Sequence, residues 1–302
     1  MIVTTERLLY LWAVAETGSF SAAGRQLGVS AAAVQQSIQA FEFDLEATLF
    51  ERHSGKRPTL TLLGRQIYLQ ALEIIPKLEG IEKHAQAVSA GEEPQLRVAT
   101  HGMVMFEHFK QVFVEFKQKY PNVELVLFDG ESATLSSDRV RLNSGEHVQP
   151  VDIMLTPGRL RSDHGGEDAM VDRIYWTVVV SSSHPLAKIR GGLTHADLYS
   201  HSQLFPLPGM VSTQELSEGL RLGPNLTHYS SFYHLRELLL AGVGYAFYPR
   251  QLAEPLIESG LLTALDLEFD DGQMNWAVEL AWVHELGPAG RWLVEQMIEA
   301  KP

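Results

Sequence analysis

Five side chains near the N-terminus have the types and spacing needed to read a nucleic-acid duplex. Ala31, Ala32, Gln35, Gln36 and Gln39 share one face if the stretch SAAAVQQSIQAFE is helical. A glutamine amide offers two donors and an acceptor to a base edge, and an alanine methyl fits against a thymine methyl. Small side chains also let a helix enter the major groove. Farther along, Arg52, Lys56 and Arg57 stand in ERHSGKRPTLTL, and no acidic residue occurs from Arg52 to Arg65. That is the chemistry of contacts to backbone phosphates or the minor groove.

The histidines suggest a different chemistry, metal binding, but the spacing is wrong. His101 and His108 are seven residues apart; His195/His201 and His228/His234 are each six apart. None has the i, i+4 spacing of a helical metal pair, and the chain has no cysteine to join them. No metal or cofactor is expected. Catalysis has no better footing: there is no G-x-S-x-G elbow, no G-x-x-x-x-G-K-[ST] loop and no dinucleotide fingerprint. Gly242-Val243-Gly244 reads as a helix end packed closely against a strand. The absence of cysteine removes disulfides, thiol redox sensing and cysteine nucleophiles together.

The elements that must hold the reading face are legible from GSFSAAGRQLGVSAAAVQQSIQAFE, Gly18 to Glu42. Two short helices are joined by a tight turn. Ser19 or Ser21 caps the first, Gly28 ends it, and Ser30 caps the second. Val34, Ile38, Phe41 and Leu45 lie at helical spacing on the buried side. A helix over 5–17 braces the pair with Leu8, Leu11, Trp12 and Ala15. Gly55 and Pro58 place a hairpin in the basic segment. The pattern A-x-x-x-L-x-V-S-x-x-A-V-x-x-x-I-x-x-x-E, followed by LFER and LTLLG, resembles the winged helix-turn-helix of LysR-type transcriptional regulators, most strongly over residues 5–90.

The resemblance implies double-stranded DNA as partner and no enzymatic activity. It also implies that Ser19, Ser21 and Ser30 belong to the DNA face with the residues above. One departure stands out. Relatives often carry glutamine where this chain has Ala31, and a basic residue on the recognition face, which here holds Gln35 and Gln36 instead. Base reading then leans on those amides, and grip on the Arg52–Arg65 segment.

The net charge of −13 lies mostly after residue 90. Screening confines its reach to about 8–10 Å at physiological salt, so an acidic body tolerates a DNA-binding head with modest non-specific affinity. No apolar run approaches bilayer length, and MIVTTERLLYLW does not read as a signal peptide, so a cytoplasmic protein with no membrane partner is expected.

Residues 63–89 read as a long helix with a heptad seam of Ile67, Ala71, Ile74, Leu78, Ile81, Ala85 and Val88, interrupted by Pro76. A regular exposed seam needs a partner. The resemblance implies an antiparallel pairing with the same helix of a second copy, a dimer of dimers joined through the C-terminal domains, and contact with RNA polymerase if the protein activates.

From Leu96 strands and helices alternate, which predicts an α/β fold with a parallel sheet and right-handed crossovers. The resemblance divides the chain into a head (1–62), a linker helix (63–90) and a two-subdomain, doubly wound effector domain (91–302). Subdomain I takes about 95–157 and 267–302, subdomain II about 158–266, with crossings near Thr156–Arg161 and Leu265–Phe269. A helix is expected over Leu135–Asn143, and 143–150 and 156–172 read as solvated loops, with lids as the alternative. Ligands in such sheets sit at strand carboxyl ends. That rule selects Thr100, His101, Gly102 and Met103, then Asp129 and Ser132, and across the cleft Phe205, Pro206, Ser230 and Ser231. The resemblance implies a small-molecule effector there, often a carboxylate; His101 and Met103 give a mouth that does not commit to an anion. A DNA-binding architectural protein without an effector is the alternative.

Overall fold

The computed structural model describes residues 2–51, 57–130, 133–135, 149–158, 166–207, 210–211, 214–270 and 272–301, with backbone only at 133–135, 149 and 214–216. The chain forms two compact units, Met1–Gln86 and Ala87–Pro302, divided inside one long helix.

The first unit opens with α1 (Thr5–Thr17), α2 (Phe20–Leu27) and α3 (Ala31–Asp44). Each starts on a side-chain oxygen: Thr4 accepts from the Arg7 N–H, Ser19 from Ala22 and Ser30 from Ala33. Leu11, Val14, Ala23, Val34, Ile38 and Phe41 have no solvent exposure. Each larger one stabilises the unit by about 1.5–3 kcal/mol. Leu45, expected in this core, is only half-buried at its edge. A hairpin follows, β1 (Phe50–Glu51) paired antiparallel with β2 (Thr59–Leu60). The Glu42 carboxylate reaches back to accept from the N–H groups of Leu49 and Phe50 at 2.8 and 3.1 Å, fixing the hairpin to α3.

Helix α4 (Leu62–Ser89) is continuous through Pro76. Its heptad seam divides in two. Ile67 and Ala71, with Ile75, pack against Leu8 and Trp12 of α1 within the unit. Ile74, Ile81, Ala85 and Val88 are exposed, with Leu78 half-buried between them.

The second unit begins with β3 (Gln95–Thr100), a 3-10 turn at Gly102–Val104, α5 (Glu107–Lys119) and β4 (Glu124–Asp129). Short strands β5 (Ala133–Leu135) and β6 (Gln149–Val151) pair parallel, and β7 (Ile153–Pro157) and β8 (Glu167–Ser181) follow. Then come α6 (His195–Tyr199), β9 (Gln203–Pro206), α7 (Gln214–Gly219), β10 (Leu226–Tyr229) and α8 (Phe232–Leu240). The unit ends with β11 (Tyr245–Pro249), α9 (Arg250–Glu258), β12 (Leu262–Ala264), β13 (Asn275–Trp282) and α10 (Pro288–Glu299).

The main sheet runs β10-β9-β11-β8-β13-β7-β3-β4, with β12 also on β8. It is mixed rather than parallel. β3 pairs parallel with β4 and β7, and β9 with β10 and β11, as the alternating pattern requires. The antiparallel ladders all involve β8 or β13. β8 pairs with β13 through Tyr175, then with β11 from Trp176 and with β12 to its end. Residues 167–172, expected in a loop, are therefore strand, and β8 changes partner at Tyr175–Trp176. The ladder to β13 decides this: the local sequence GEDAMVD is acidic and reads as solvated.

Near the β3–β7 edge, Asp152 accepts from the Arg97 backbone N–H at 2.8 Å and from its guanidinium at 2.7 and 3.2 Å. Both side chains are largely buried. Leu135 closes a strand instead of opening a helix, and residues 136–148 lie outside the described residues. No helix among the described residues is long and apolar enough to cross a membrane.

Candidate nucleic-acid interface and ligand pocket

In the head, the turn between α2 and α3 is set by two glycines with different roles. Gly28 adopts a left-handed conformation (φ 69°) that ends α2, and its N–H donates to the Gly24 carbonyl. Gly24 lies where the turn folds back on the helix. A side chain there would begin 2.8 Å from the Val29 oxygen and 3.0 Å from the Ala31 nitrogen. The absence of a Cβ lets α3 leave the turn at its observed angle. The hydroxyls of Ser19 and Ser30 serve as caps, accepting at 3.0 and 3.1 Å. Ser21 is not the cap; it accepts from the Arg25 guanidinium at 3.1 Å.

Beyond this turn, α3 leaves Ala31, Ala32, Gln35, Gln36 and Gln39 exposed together, while Val34, Ile38 and Phe41 face inward. The exposed face carries no charge until Glu42. The Arg57 side chain runs over the Gly18 turn, its Cδ 3.1 Å from where a Gly18 side chain would begin. This sets a guanidinium stem beside the start of α2, whose first-turn N–H groups carry partial positive charge. Arg52 and Lys56 lie outside the described residues.

In the second unit, a pocket opens where β8 changes partner. β9 contributes Gln203, Leu204, Phe205 and Pro206. Trp176, Tyr229, Phe247 and Trp276 come from β8, β10, β11 and β13. Met103, Met210, Val211 and Leu220 complete it. About 30 Å³ is open to the centres of water-sized molecules, room for roughly two waters. The Trp176 and Trp276 rings meet edge to face with centroids 4.7 Å apart. The Gln203 amide is committed to the fold: it donates to the Leu220 carbonyl at 2.6 Å and accepts from the Leu222 and Gly223 N–H groups at 2.9 and 3.2 Å.

Two loops meet beside this pocket. The Phe232 ring at the start of α8 lies 2.7 Å from where a Gly102 side chain would begin. His101 is buried, and its Nδ1 accepts from the Met103 N–H at 3.2 Å, capping the 3-10 turn. Ser231 caps α8, accepting from the His234 N–H at 3.3 Å.

Known proteins match the two units in this order. The family described as the bacterial regulatory helix-turn-helix protein of the lysR family matches residues 5–65. The LysR substrate binding domain matches residues 89–302. The chain belongs to the LysR family of DNA-binding transcriptional regulators. It is 27% identical over 301 residues to the HTH-type transcriptional regulator AceR of Acinetobacter baumannii, covering 98% of this chain and 96% of that one. The regulator PunR of Escherichia coli K12 is 28% identical over 295 residues, 94% of this chain and 89% of PunR. Among solved structures, CrgA, a LysR-type regulator from Neisseria meningitidis, superposes with a TM-score of 0.51 at 22% identity, covering 98% of each chain. Full-length CbnR in complex with target DNA gives 0.50 at 21% identity, over 99% of this chain and 100% of that one. At these identities the two structures show a shared fold.

Within this LysR-family chain, the expected ligand residues separate. Met103, Phe205 and Pro206 line the pocket. Thr100, His101, Gly102, Asp129, Ser230 and Ser231 do not; His101 and Ser231 are occupied as caps, and Gly102 packs on Phe232. Ser132 lies outside the described residues. The strand-end rule did not select the other pocket residues Trp176, Gln203, Tyr229, Phe247 and Trp276, all on strands that read as ordinary apolar runs. Gln203 carried the one usable signal: an amide opening the apolar segment QLFP.

Proposed function

We propose that this regulator binds dyad-like operator sites as an oligomer and that a small molecule in the pocket of the second unit modulates it. The observation that carries the DNA part is the exposed, uncharged face of Ala31, Ala32, Gln35, Gln36 and Gln39 behind a capped turn. Gln35 and Gln36 read base edges, and Arg57, beside the start of α2, holds a backbone phosphate. Arg52 and Lys56 add to that grip. Ile74, Ile81, Ala85 and Val88, left exposed on α4, support pairing of two copies along this helix. Two such dimers join through their C-terminal domains. An occupant of the pocket favours one arrangement of the strands around it and so changes the spacing of the paired heads. An activating form contacts RNA polymerase as well, and the regulator works in the cytoplasm.

The test begins with selection of genomic fragments by the full chain. A two-fold related site is expected. On that site Gln35→Ala and Gln36→Ala relax sequence preference. Arg57→Ala weakens all sequences alike and lowers the slope of log affinity against log salt by about one. Equal loss of preference from Arg57→Ala overturns the assignment. A metabolite panel screened by thermal shift against the full chain addresses the effector separately, because a ligand that prefers the folded form raises its stability. A panel that shifts nothing removes the effector and leaves the DNA reading in place.

A further inference from the structure

The pocket walls restrict the chemistry of any ligand they receive. Every lining side chain is uncharged. An ion entering such a space sheds its water and meets no formal counter-charge, a cost of several kcal/mol or more that ring faces offset only in part for a cation. The Gln203 amide, which looks like the obvious polar anchor, already serves the Leu220–Gly223 turn through three hydrogen bonds. Trp176 lines the pocket and carries a donor of its own. The Nε1–H of Trp176 is buried and has no hydrogen-bond partner among the described residues. A buried donor left unmet costs about 1–3 kcal/mol, which an acceptor on a bound molecule recovers. The remaining walls, among them Trp276, Phe205 and Phe247, present aromatic faces and edges that favour a flat ring. Met103 and Met210 are flexible side chains that can yield as the space enlarges.

Resting on that pocket as the effector site, we propose that its ligand is a small, planar, uncharged ring compound bearing one hydrogen-bond acceptor, received by the indole N–H of Trp176. This sets the chain apart from a carboxylate sensor.

Four probes built on one bicyclic frame separate the alternatives by calorimetry on the full chain: quinoline, naphthalene, quinoline-2-carboxylate and N-methylquinolinium. Quinoline and naphthalene bind, and the two ions do not. Trp176→Phe keeps an aromatic ring beside Trp276 and removes the donor. It weakens quinoline about tenfold and leaves naphthalene unchanged. Trp276→Phe, which leaves the Trp176 donor in place, controls for general damage to the pocket and does not single out quinoline. Preferential binding of either ion overturns the ligand class while the pocket survives as an effector site. An equal effect of Trp176→Phe on quinoline and naphthalene overturns the role of its N–H. If none of the four binds, the proposal falls, and the metabolite screen on the same chain decides independently whether the pocket binds any effector.

Discussion

Replacing Gly24 by alanine puts the geometry of the reading turn to a quantitative test. The added methyl would begin 2.8 Å from the Val29 oxygen, 3.0 Å from the Ala31 nitrogen and 3.2 Å from the Ser30 carbonyl carbon. All three are backbone atoms of the turn, so no side-chain rotation relieves the contact. Alanine gains about 0.5–1 kcal/mol over glycine within a helix. Overpacking costs about 1–3 kcal/mol. The net expected loss is up to about 2.5 kcal/mol and centres near about 1 kcal/mol, with α3 displaced from the caps and core that hold it. Gly28→Ala is the control. Nothing lies within 4 Å of its added carbon, but φ is +69°, so its cost is about 1–2 kcal/mol of left-handed strain without a clash. Asparagine, which tolerates that conformation, recovers part of the loss at position 28 and none at position 24. Urea denaturation gives both stabilities, and titration of a selected operator gives affinity under conditions where every variant is folded. Gly24→Ala should lower affinity more than Gly28→Ala does at comparable stability. If Gly24→Ala is as stable as the parent and binds as well, backbone contact does not set the angle of α3.

Other expectations concern the second unit. Asp152→Ala strands the largely buried Arg97 without its carboxylate and should cost about 3–5 kcal/mol, read as a lower urea midpoint, whereas Arg97→Met with Asp152→Leu should recover much of that. Tyr245 carries a buried hydroxyl with no hydrogen-bond partner among the described residues, so Tyr245→Phe should be neutral or stabilising in thermal melts. Burial also pushes its hydroxyl up to about 12, against 10 in the unfolded chain. The unfolded state therefore loses its proton first, and stability falls as pH climbs from 10 towards 12. Tyr245→Phe should make that decline shallower, leaving the similar contribution of Tyr248. His184 is buried, its Nδ1 accepts from the Leu186 N–H, and burial holds its pKa below the usual value. Its contribution is intact above pH 6.5 and lost as pH falls below that value, so His184→Gln should flatten the acid slope of denaturation.

The head was legible because its signals are local. Caps, a helix-ending glycine and a 3.6-residue apolar period all lie within the span they specify, so Ser30, Gly28 and Ile38 could be placed from the sequence. Gly24 could not, because its reason is the return of Val29 and Ala31 past its α-carbon. The seam on α4 was read as one surface, but Ile67 and Ala71 are claimed by α1, a contact no heptad pattern encodes. In the second unit, element order was readable, while β8 was cut short because its first residues are acidic and become strand only through pairing with β13. The pocket was the least legible part. Trp176 and Trp276 lie a hundred residues apart on strands whose apolar character announces burial and nothing more. The polar residues that attract attention at strand ends, His101 and Ser231, are occupied in finishing the backbone.

The handover on β8 has a mechanical consequence. One uninterrupted strand is hydrogen-bonded to β13 up to Tyr175 and to β11 from Trp176 onward. A loop at that point would absorb a local rotation; a strand with partners on both sides of the junction passes it on. Trp176 sits at this junction and lines the pocket. On the proposed function, an occupant that turned its indole would therefore apply torque to two ladders through a single backbone, with opposite ends of the sheet as the lever arms.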